Sequence, residues 1–195
     1  ADDGTATSLV AENRVVGIDS SEAMLAKLGD NDPDRTVTAV CGDMVTGLPN
    51  GPFTLAFVAY NTRFNLRTRE LQAGCFEAVA QRLAPGGHFV VEAFVPDDPP
   101  RHGDDISIRS LTTDQVVLSI SRHDADQQSA EGQFVEITEA GGVRLRPWAI
   151  RYADPGQLDE MAGEAGMSLE HRWESFGAAP FDADSVRHVS VYRSP

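Results

Sequence analysis

The 195 residues carry 16 Lys and Arg against 30 Asp and Glu, which gives a formal net charge of −14. A chain this acidic does not attract a phosphate backbone without a concentrated basic patch, and its arginines are spread singly. Hydrophobic residues make up 41% and charged residues 24%, a balance that fits one globular domain and excludes collagen-like and disordered chains. The longest apolar stretches are about as long as a strand, far short of the roughly 20 residues of a membrane span. These features predict a small-molecule partner, with neither nucleic acid nor a membrane involved.

The N-terminus shows no basic, apolar segment of the signal-peptide type, so we expect a cytoplasmic protein. The two cysteines, Cys41 and Cys75, form no CxxC pair and belong to no cluster with metal-ligand spacing. We therefore expect no bound metal, and we expect both cysteines to be small buried residues.

The first half of the chain alternates strand and helix signals. Nearly continuous apolar strands are predicted near residues 14–18, 36–40, 53–59 and 87–95. A Ser-Ser-Glu cap after the first strand begins a helix, and a second helix, predicted over 70–83 with Leu71 on its apolar face, is stopped by Pro85-Gly86-Gly87. This alternation predicts an α/β fold with a Rossmann-like, mostly parallel sheet and helices on both of its faces.

Beyond the Pro- and Asp-rich segment 96–100 the pattern changes to period two. Antiparallel strands are predicted near 106–111, 116–122, 134–139 and 143–151, with Gly141-Gly142 as the last hairpin turn. The alternation of Val143 and Leu145 with arginines predicts one packed and one solvated face. A capped helix at 154–165 and strands at 168–176 and 187–193 follow. We expect a core of residues 1–98 and 154–195 with an antiparallel insertion, 99–153, covering the substrate.

Three segments carry a resemblance to a known family: VVGIDSSEAMLAKL from Val15 to Leu28, Cys41-Gly42-Asp43-Met44, and LAPGGHFVVE from Leu83 to Glu92. In this order and spacing, the chain resembles the class I S-adenosylmethionine-dependent methyltransferases that act on small molecules in bacteria. The resemblance runs over nearly the whole chain and implies S-adenosylmethionine as the cofactor.

The resemblance also implies site residues. Asp19 would accept hydrogen bonds from both ribose hydroxyls, Ser20 and Met24 would flank the nucleoside, and Asp43 and Met44 would contact the adenine. The implied cofactor-binding set is Gly4, Asp19, Ser20, Met24, Gly42, Asp43, Met44, Ala59 and Asn61. Substrate contacts are expected from Tyr60, Phe64, Arg151 and Tyr152. From the residues alone, each aspartate could instead be a helix cap or a solvated turn residue, Tyr60 could be a core residue, and Arg151 could belong to a structural ion pair.

One feature departs from the family. The glycine-rich loop is reduced to Asp2-Asp3-Gly4-Thr5-Ala6, and Gly4 lies only 15 positions before Asp19. Two explanations stay open: the sequence omits residues that the working protein has, or the chain is a degenerate relative. The second would make it a non-methylating member of the fold, which is the alternative to methyl transfer onto a small-molecule acceptor.

An amine or phenol acceptor must lose a proton, and histidine is the natural base near neutral pH. Of the five histidines, His123 is the best placed, because it lies in the predicted insertion; a solvated hairpin histidine is the competing interpretation. His123, Trp148 or Tyr152 should turn toward the substrate cavity. For partners, the sequence predicts a small-molecule substrate and allows a homodimer.

Overall fold

The computed structural model describes residues 14–195, which divide into two compact units, one ending at Pro52 and the other beginning at Phe53. The part of the N-terminal unit that is described holds one parallel strand pair and one helix. The C-terminal unit holds two four-stranded sheets. No helix within 14–195 is long and apolar enough to cross a membrane.

In the N-terminal unit, strand β1 (Val15–Asp19) pairs in parallel with β2 (Val37–Cys41), and helix α1 (Glu22–Asn31) connects them. The helix begins as the sequence predicts, because the Ser21 side chain accepts a hydrogen bond from the Met24 amide. The prediction of two buried cysteines is half wrong. Cys75 is buried, but Cys41 is exposed at the last position of β2, a strand in which no residue is buried.

The first sheet of the C-terminal unit contains β3 (Phe53–Val58), β4 (Leu83–Phe94), β10 (Arg187–Arg193) and β9 (Ser168–Trp173), in that spatial order. Strands β3 and β4 are parallel, and the other two pairings are antiparallel. We call it the mixed sheet. Together with the parallel pair β1 and β2, it confirms the predicted Rossmann-like α/β fold class.

Strand β4 begins four residues before the predicted start, because it runs through Pro85-Gly86-Gly87 instead of following it. The register against β3 shifts there, from Phe53 opposite Leu83 to Leu55 opposite His88. A Cβ on Gly87 would lie 2.9 Å from the Ala84 carbonyl oxygen, so the irregularity requires a glycine.

Helices α2 (Arg69–Ala80) and α3 (Pro155–Glu164) belong to the core of this unit. Helix α3 begins with the predicted Pro155 after a capping box between Asp154 and Gln157. In α2 the prediction for Leu71 is wrong. Its side chain is 44% exposed, because the buried face of the helix runs through Gln72, Cys75, Phe76 and Val79.

The second sheet is antiparallel, in the order β5 (Gly103–Leu111), β6 (Gln115–Asp124), β7 (Ser129–Thr138) and β8 (Val143–Arg151). It confirms the predicted antiparallel strands. Gly141 and Gly142 form the predicted hairpin turn with φ values of 91° and 94°. Strand β7 begins five residues before its predicted start, since Gly132, which signals a loop in sequence, lies within it.

The prediction that the apolar side of β8 is packed is wrong for the single chain. Val143 and Leu145 are both exposed, whereas Val117, Ser119, Ser121 and Ala130 are buried. The register places Val143 and Leu145 on the opposite face of the sheet from those four residues.

Candidate functional site

Two aspartates follow the parallel pair of the N-terminal unit at the same edge. Asp19 is the last residue of β1, opposite Cys41 of β2, and Asp43 comes two residues after Cys41. The Asp19 carbonyl oxygen accepts a hydrogen bond from the Gly42 amide at 3.1 Å, which ties the two strand ends together. Both acids thus lie at the carboxyl ends of the strands as predicted, which is the edge where α/β folds bind nucleotides, and their role there stays a prediction.

Each of these carboxylates uses one oxygen locally. Asp19 Oδ1 accepts from the Ser21 amide at 2.7 Å, and Asp43 Oδ1 accepts from the amides of Val45 and Thr46 at 2.8 and 3.0 Å. These two backbone hydrogen bonds lower the pKa of Asp43. The Oδ2 atoms of both have no hydrogen-bond partner among the described residues, so each can accept from a ligand.

The neighbouring predicted residues form the same edge. Gly42 lies close to Gly47, whose carbonyl oxygen would be 3.0 Å from an added Cβ, so the turn around Asp43 is tight. Ser20 and Met24 are exposed and Met44 is half-buried. Gly4 lies outside the described residues, and the prediction about the glycine-rich loop stays a prediction.

A strained turn follows β3 in the C-terminal unit. Tyr60 and Asn61 both have left-handed backbone conformations, with φ values of 55° and 62°. The Tyr60 amide donates to Glu92 Oε2 at 2.9 Å, and Asn61 Oδ1 accepts from the Phe94 amide at 2.7 Å. Two bonds to β4 thus hold a conformation that costs about 1–3 kcal/mol per residue, which is typical of functional turns. The core interpretation of Tyr60 is wrong, because its side chain is 87% exposed.

A cavity of about 350 Å³ lies where β4 ends and the antiparallel sheet begins. Its walls come from the segment that follows β4, from β6 and β7, from the end of β8, and from Val186. His123, Trp148 and Tyr152, the residues expected to turn toward the substrate cavity, all line it, and the use of this cavity by the substrate stays a prediction.

The histidine and the tryptophan have defined supports. His123 Nε2 lies 3.0 Å from Ser121 Oγ, and Ser121 is buried. The Trp148 ring stacks on Phe134 with the ring centroids 5.9 Å apart, and it lies over Gly132, where an added Cβ would be 3.0 Å from Trp148 Cζ2. Gly132 therefore leaves the space in which the indole lies against the sheet.

Tyr152 and Asp97 give the cavity its polar groups. Burial, reinforced by Asp124 and Asp97, raises the pKa of Tyr152, so the phenol keeps its proton at neutral pH. Asp97 forms an ion pair with Arg101 at the cavity rim. The sequence does not predict Asp97 as a cavity residue, because it lies in a segment whose prolines and acids predict only a loop.

The other predicted substrate contacts, which include the exposed Tyr60, do not line the cavity. Phe64 is fully buried, with its ring edge-on to Phe94 at a centroid distance of 5.1 Å, and it does not line the cavity. Arg151 donates to Gln128 Oε1 at 3.0 Å and does not line it either. Ala59 accepts a backbone hydrogen bond from Thr62, which closes the strained turn.

The fold is that of the Rossmann-like α/β proteins, and comparisons with known proteins give the family. A family model described as "Methyltransferase domain" matches residues 3–91. The CcbJ methyltransferase of Streptomyces caelestis has 35% sequence identity and a TM-score of 0.88, and the match covers 93% of this chain and 80% of that one.

Two further relatives extend the comparison. The cypemycin N-terminal methyltransferase of a Streptomyces species is 26% identical over 182 residues, which is 91% of this chain and 73% of the relative. CalS10, an amino pentose methyltransferase of Micromonospora echinaspora, shares the fold at 18% identity, with a TM-score of 0.72 over 98% of this chain and 78% of that one. The chain belongs to the class I S-adenosylmethionine-dependent methyltransferases, and S-adenosylmethionine is its methyl donor.

The described residues fit this cofactor. The two aspartates present free Oδ2 acceptors at one strand edge, and a nucleoside offers ribose hydroxyl and adenine amino donors. Accepting groups on the protein thus match donating groups on the cofactor.

Proposed function

We propose that the enzyme methylates an amine nitrogen of a small molecule that enters the cavity at the end of β4. The observation that carries this proposal is the cavity lining, which combines a histidine, aromatic rings and the ion pair of Asp97 with Arg101. A protonated amine is attracted to aromatic faces and can give its proton to a histidine, whereas a neutral alcohol gains little from the rings.

The names of two relatives support the same acceptor class. One acts at the N-terminus of cypemycin and the other on an amino pentose. Both acceptor names include an amino group, although a peptide and a sugar differ in shape. The shared feature is therefore the nitrogen, for which the cavity of this chain offers aromatic side chains and His123.

S-adenosylmethionine supplies an electrophilic methyl group on a sulfonium, so the protein must take a proton from the bound ammonium and hold the resulting neutral amine in line with that methyl group. We assign Asp19 and Asp43 to holding the nucleoside and His123 to accepting the proton. If His123 Nε2–H donates to Ser121 Oγ, the Nδ1 lone pair is free for the amine proton. Tyr152, which stays protonated, donates a hydrogen bond to the acceptor molecule.

The acceptor class is tested with pairs of compounds that differ in one atom. The full chain is incubated with S-adenosylmethionine and with amino sugars or amino acid amides, each matched to the corresponding hydroxyl compound, and formation of S-adenosylhomocysteine is measured. We expect turnover only with the amines. Turnover with the hydroxyl compounds and not with the amines would contradict the proposal.

The base is tested by His123→Ala, with His171→Ala as the matched control. His171 is an exposed histidine of β9 that stacks on Trp173 outside the cavity. We expect His123→Ala to lower kcat about 100-fold or more and to leave binding of S-adenosylhomocysteine unchanged. His171→Ala should match the unsubstituted chain; equal kcat values in both variants would remove His123 from catalysis.

The nucleoside contacts are tested by Asp19→Asn and Asp43→Asn. Asparagine keeps an Oδ1 that can accept the local backbone hydrogen bonds but replaces the free acceptor by a donor. We expect cofactor binding, measured by calorimetry, to weaken by about 1–3 kcal/mol in each variant. Asp34→Asn, at an exposed loop position, removes the same charge and should change nothing. An unchanged dissociation constant in the first two variants would reject their assigned role.

A further inference from the structure

The cavity at the end of β4 has apolar walls and a polar rim. Most of the side chains that line it are hydrophobic: Phe94, Val95, Pro96, Pro100, Ala130, Trp148, Ile150 and Val186. Among the described residues of the lining, Asp97 and Arg101 are the charged ones. His123 adds an imidazole and Tyr152 a phenol. The acceptor therefore meets apolar groups over most of its surface, and a charged group on it finds an opposite charge only beside Asp97 or Arg101.

Asp97 and Arg101 are paired with each other, four positions apart in the segment that follows β4. Their side chains are 54% and 59% exposed, and an ion pair that is this exposed contributes little to stability. Neither side chain has another hydrogen-bond or ion-pair partner within residues 14–195. A ligand that offers each of them an opposite charge can therefore replace this contact at little cost.

The strand register places the cation and the base at the same end of the cavity. His123 of β6 pairs with Gly103, the first residue of β5, and Arg101 precedes Gly103 by two positions. An amine held at His123 and an anionic group held at Arg101 must therefore lie close together in the acceptor. In an α-amino acid both groups are attached to one carbon atom, whereas in a peptide they lie at opposite ends.

A carboxylate matches this single guanidinium better than a phosphate does. A guanidinium binds a carboxylate through two parallel N–H···O bonds, and the two unit charges balance. A phosphate dianion would leave surplus negative charge next to Asp97, in a chain whose net charge is already −14. The apolar walls then accept an uncharged side chain, so the lining as a whole favours one kind of amine.

We propose that the acceptor is an apolar α-amino acid. Its carboxylate binds Arg101, and its ammonium lies beside Asp97 before it loses a proton to His123. This inference rests on the proposed N-methylation in the same cavity and names the class of amine. In the reaction an N–H bond of the acceptor is replaced by an N–CH3 bond, and the C–S bond of the cofactor breaks with its electron pair left on sulfur. The released proton passes from His123 to solvent.

The class is tested with acceptors that differ only at the carboxyl group. Leucine and phenylalanine are compared with their amides, and with isoamylamine and phenethylamine, which lack the carboxyl group altogether. Formation of S-adenosylhomocysteine by the full chain is measured. We expect kcat/KM to be about 30-fold or more higher for the two acids, because the other compounds cannot form the paired, charge-assisted hydrogen bonds to Arg101.

The carboxylate contact is tested by Arg101→Gln, with Arg69→Gln as the matched control. Arg69 also forms an exposed ion pair, with Glu164, and it lies outside the cavity lining. We expect Arg101→Gln to raise KM for leucine about 30-fold and to leave kcat/KM for leucinamide within about two-fold. Arg69→Gln should match the unsubstituted chain with both compounds.

A binding measurement detects the exchange of the ion pair without turnover. Isocaproate, which is leucine without its amino group, is titrated by calorimetry into the chain in the presence of S-adenosylhomocysteine. Asp97→Asn removes the carboxylate that competes for Arg101, so isocaproate should bind a few-fold more tightly to this variant than to the unsubstituted chain. Arg101→Gln should abolish its binding. A purely structural ion pair would instead weaken binding in both variants.

The outcomes separate this inference from the proposed function. Three results overturn the α-amino acid acceptor even where other amines are methylated. They are equal kcat/KM values for the acids and their amides, no turnover of either amino acid, and a preference for leucine over leucinamide that persists in Arg101→Gln. Weaker binding of isocaproate to Asp97→Asn overturns the exchange of the ion pair. Turnover of hydroxyl compounds and not of amines overturns the proposed function, and this inference with it.

Discussion

The two four-stranded sheets of the C-terminal unit bury their apolar residues in different ways. The mixed sheet is packed within its own chain: five consecutive residues of β10, from His188 to Tyr192, are buried, and helix α2 lays Phe76 edge-on against Phe89 and Tyr192. The antiparallel sheet buries only small residues, among them Val117, Ser119 and Ala130, and leaves Ile108 and Leu145 exposed. The mixed sheet is thus packed around β10 but leaves Leu55 and Phe57 of β3 exposed, whereas the antiparallel sheet supplies walls of the cavity at the end of β4.

The largest expected effect lies in the mixed sheet. Phe76→Ala removes a fully buried ring at the junction of α2, β4 and β10, and should lower the free energy of unfolding by about 3–5 kcal/mol in urea titrations. Leu71→Ala on the exposed side of the same helix should cost less than about 0.5 kcal/mol. Similar losses in both variants would mean that α2 does not pack as described.

The next effect depends on pH. His188 is fully buried in β10, bonded through Nδ1 to Ser190 Oγ at 2.8 Å, and burial with Arg172 of β9 lowers its pKa to about 4, against a smaller opposing effect of Asp159 in α3. The folded state therefore binds fewer protons than the unfolded state between pH 6.5 and 4. Stability is complete above pH 6.5 and falls as the pH drops, by about 3 kcal/mol near pH 4.

Urea titrations from pH 7 to 4 measure this slope. His188→Phe replaces the buried imidazole by a ring that can pack on the neighbouring Phe181, and it should remove the pH dependence that His188 contributes. His171→Phe should retain that pH dependence. A slope that is the same in His188→Phe and the unsubstituted chain would show that another group titrates.

A smaller effect is expected in the antiparallel sheet. Gly132→Ala would place a Cβ 2.2 Å from the Ile120 carbonyl oxygen and 3.0 Å from Trp148, so the strand and the indole must both shift. We expect a loss of about 1–3 kcal/mol in unfolding free energy and a raised KM for the acceptor. Gly163→Ala, in α3 with nothing within 4 Å of the added atom, should instead stabilise the protein. An unchanged KM for the acceptor would show that the cavity wall formed by Trp148 does not contact the acceptor.

The smallest expected effect tests the comparison between the mixed sheet and the antiparallel sheet. Leu145→Ala removes an exposed side chain, so the free energy of unfolding should change by less than about 0.5 kcal/mol in thermal unfolding. A loss near that of Phe76→Ala would show that Leu145 is packed within its own chain.

Much of this fold could be predicted from local signals in the sequence. The Ser21 cap, the Asp154-Pro155 helix start and the Gly141-Gly142 turn all form as predicted, since each depends on residues within a few positions of one another. The acids at the ends of β1 and β2 follow from strand direction alone. The sheet edge that they share could therefore be predicted from the sequence.

Contacts between segments that are distant in the sequence could not be predicted. Nothing near Asn61 in sequence indicates that its side chain accepts from the Phe94 amide, 33 residues away. The burial of His188 depends on its place in β10 between two neighbouring strands. Likewise, period-two alternation in β8 shows that two faces differ but does not show which face is covered.

The side chain of Gln72 has a consequence for exchanging parts between enzymes of this family. This buried amide donates to the carbonyl oxygens of Leu66 at 3.0 Å and Arg151 at 2.6 Å, which fastens the last residue of β8 to α2. The backbone position of Tyr152 is therefore set by the core helix and not by the hairpins that precede it. A chimera that takes the antiparallel strands from a relative should therefore be joined before Arg151. The cavity wall formed by those strands then changes, while the position of Tyr152 is kept.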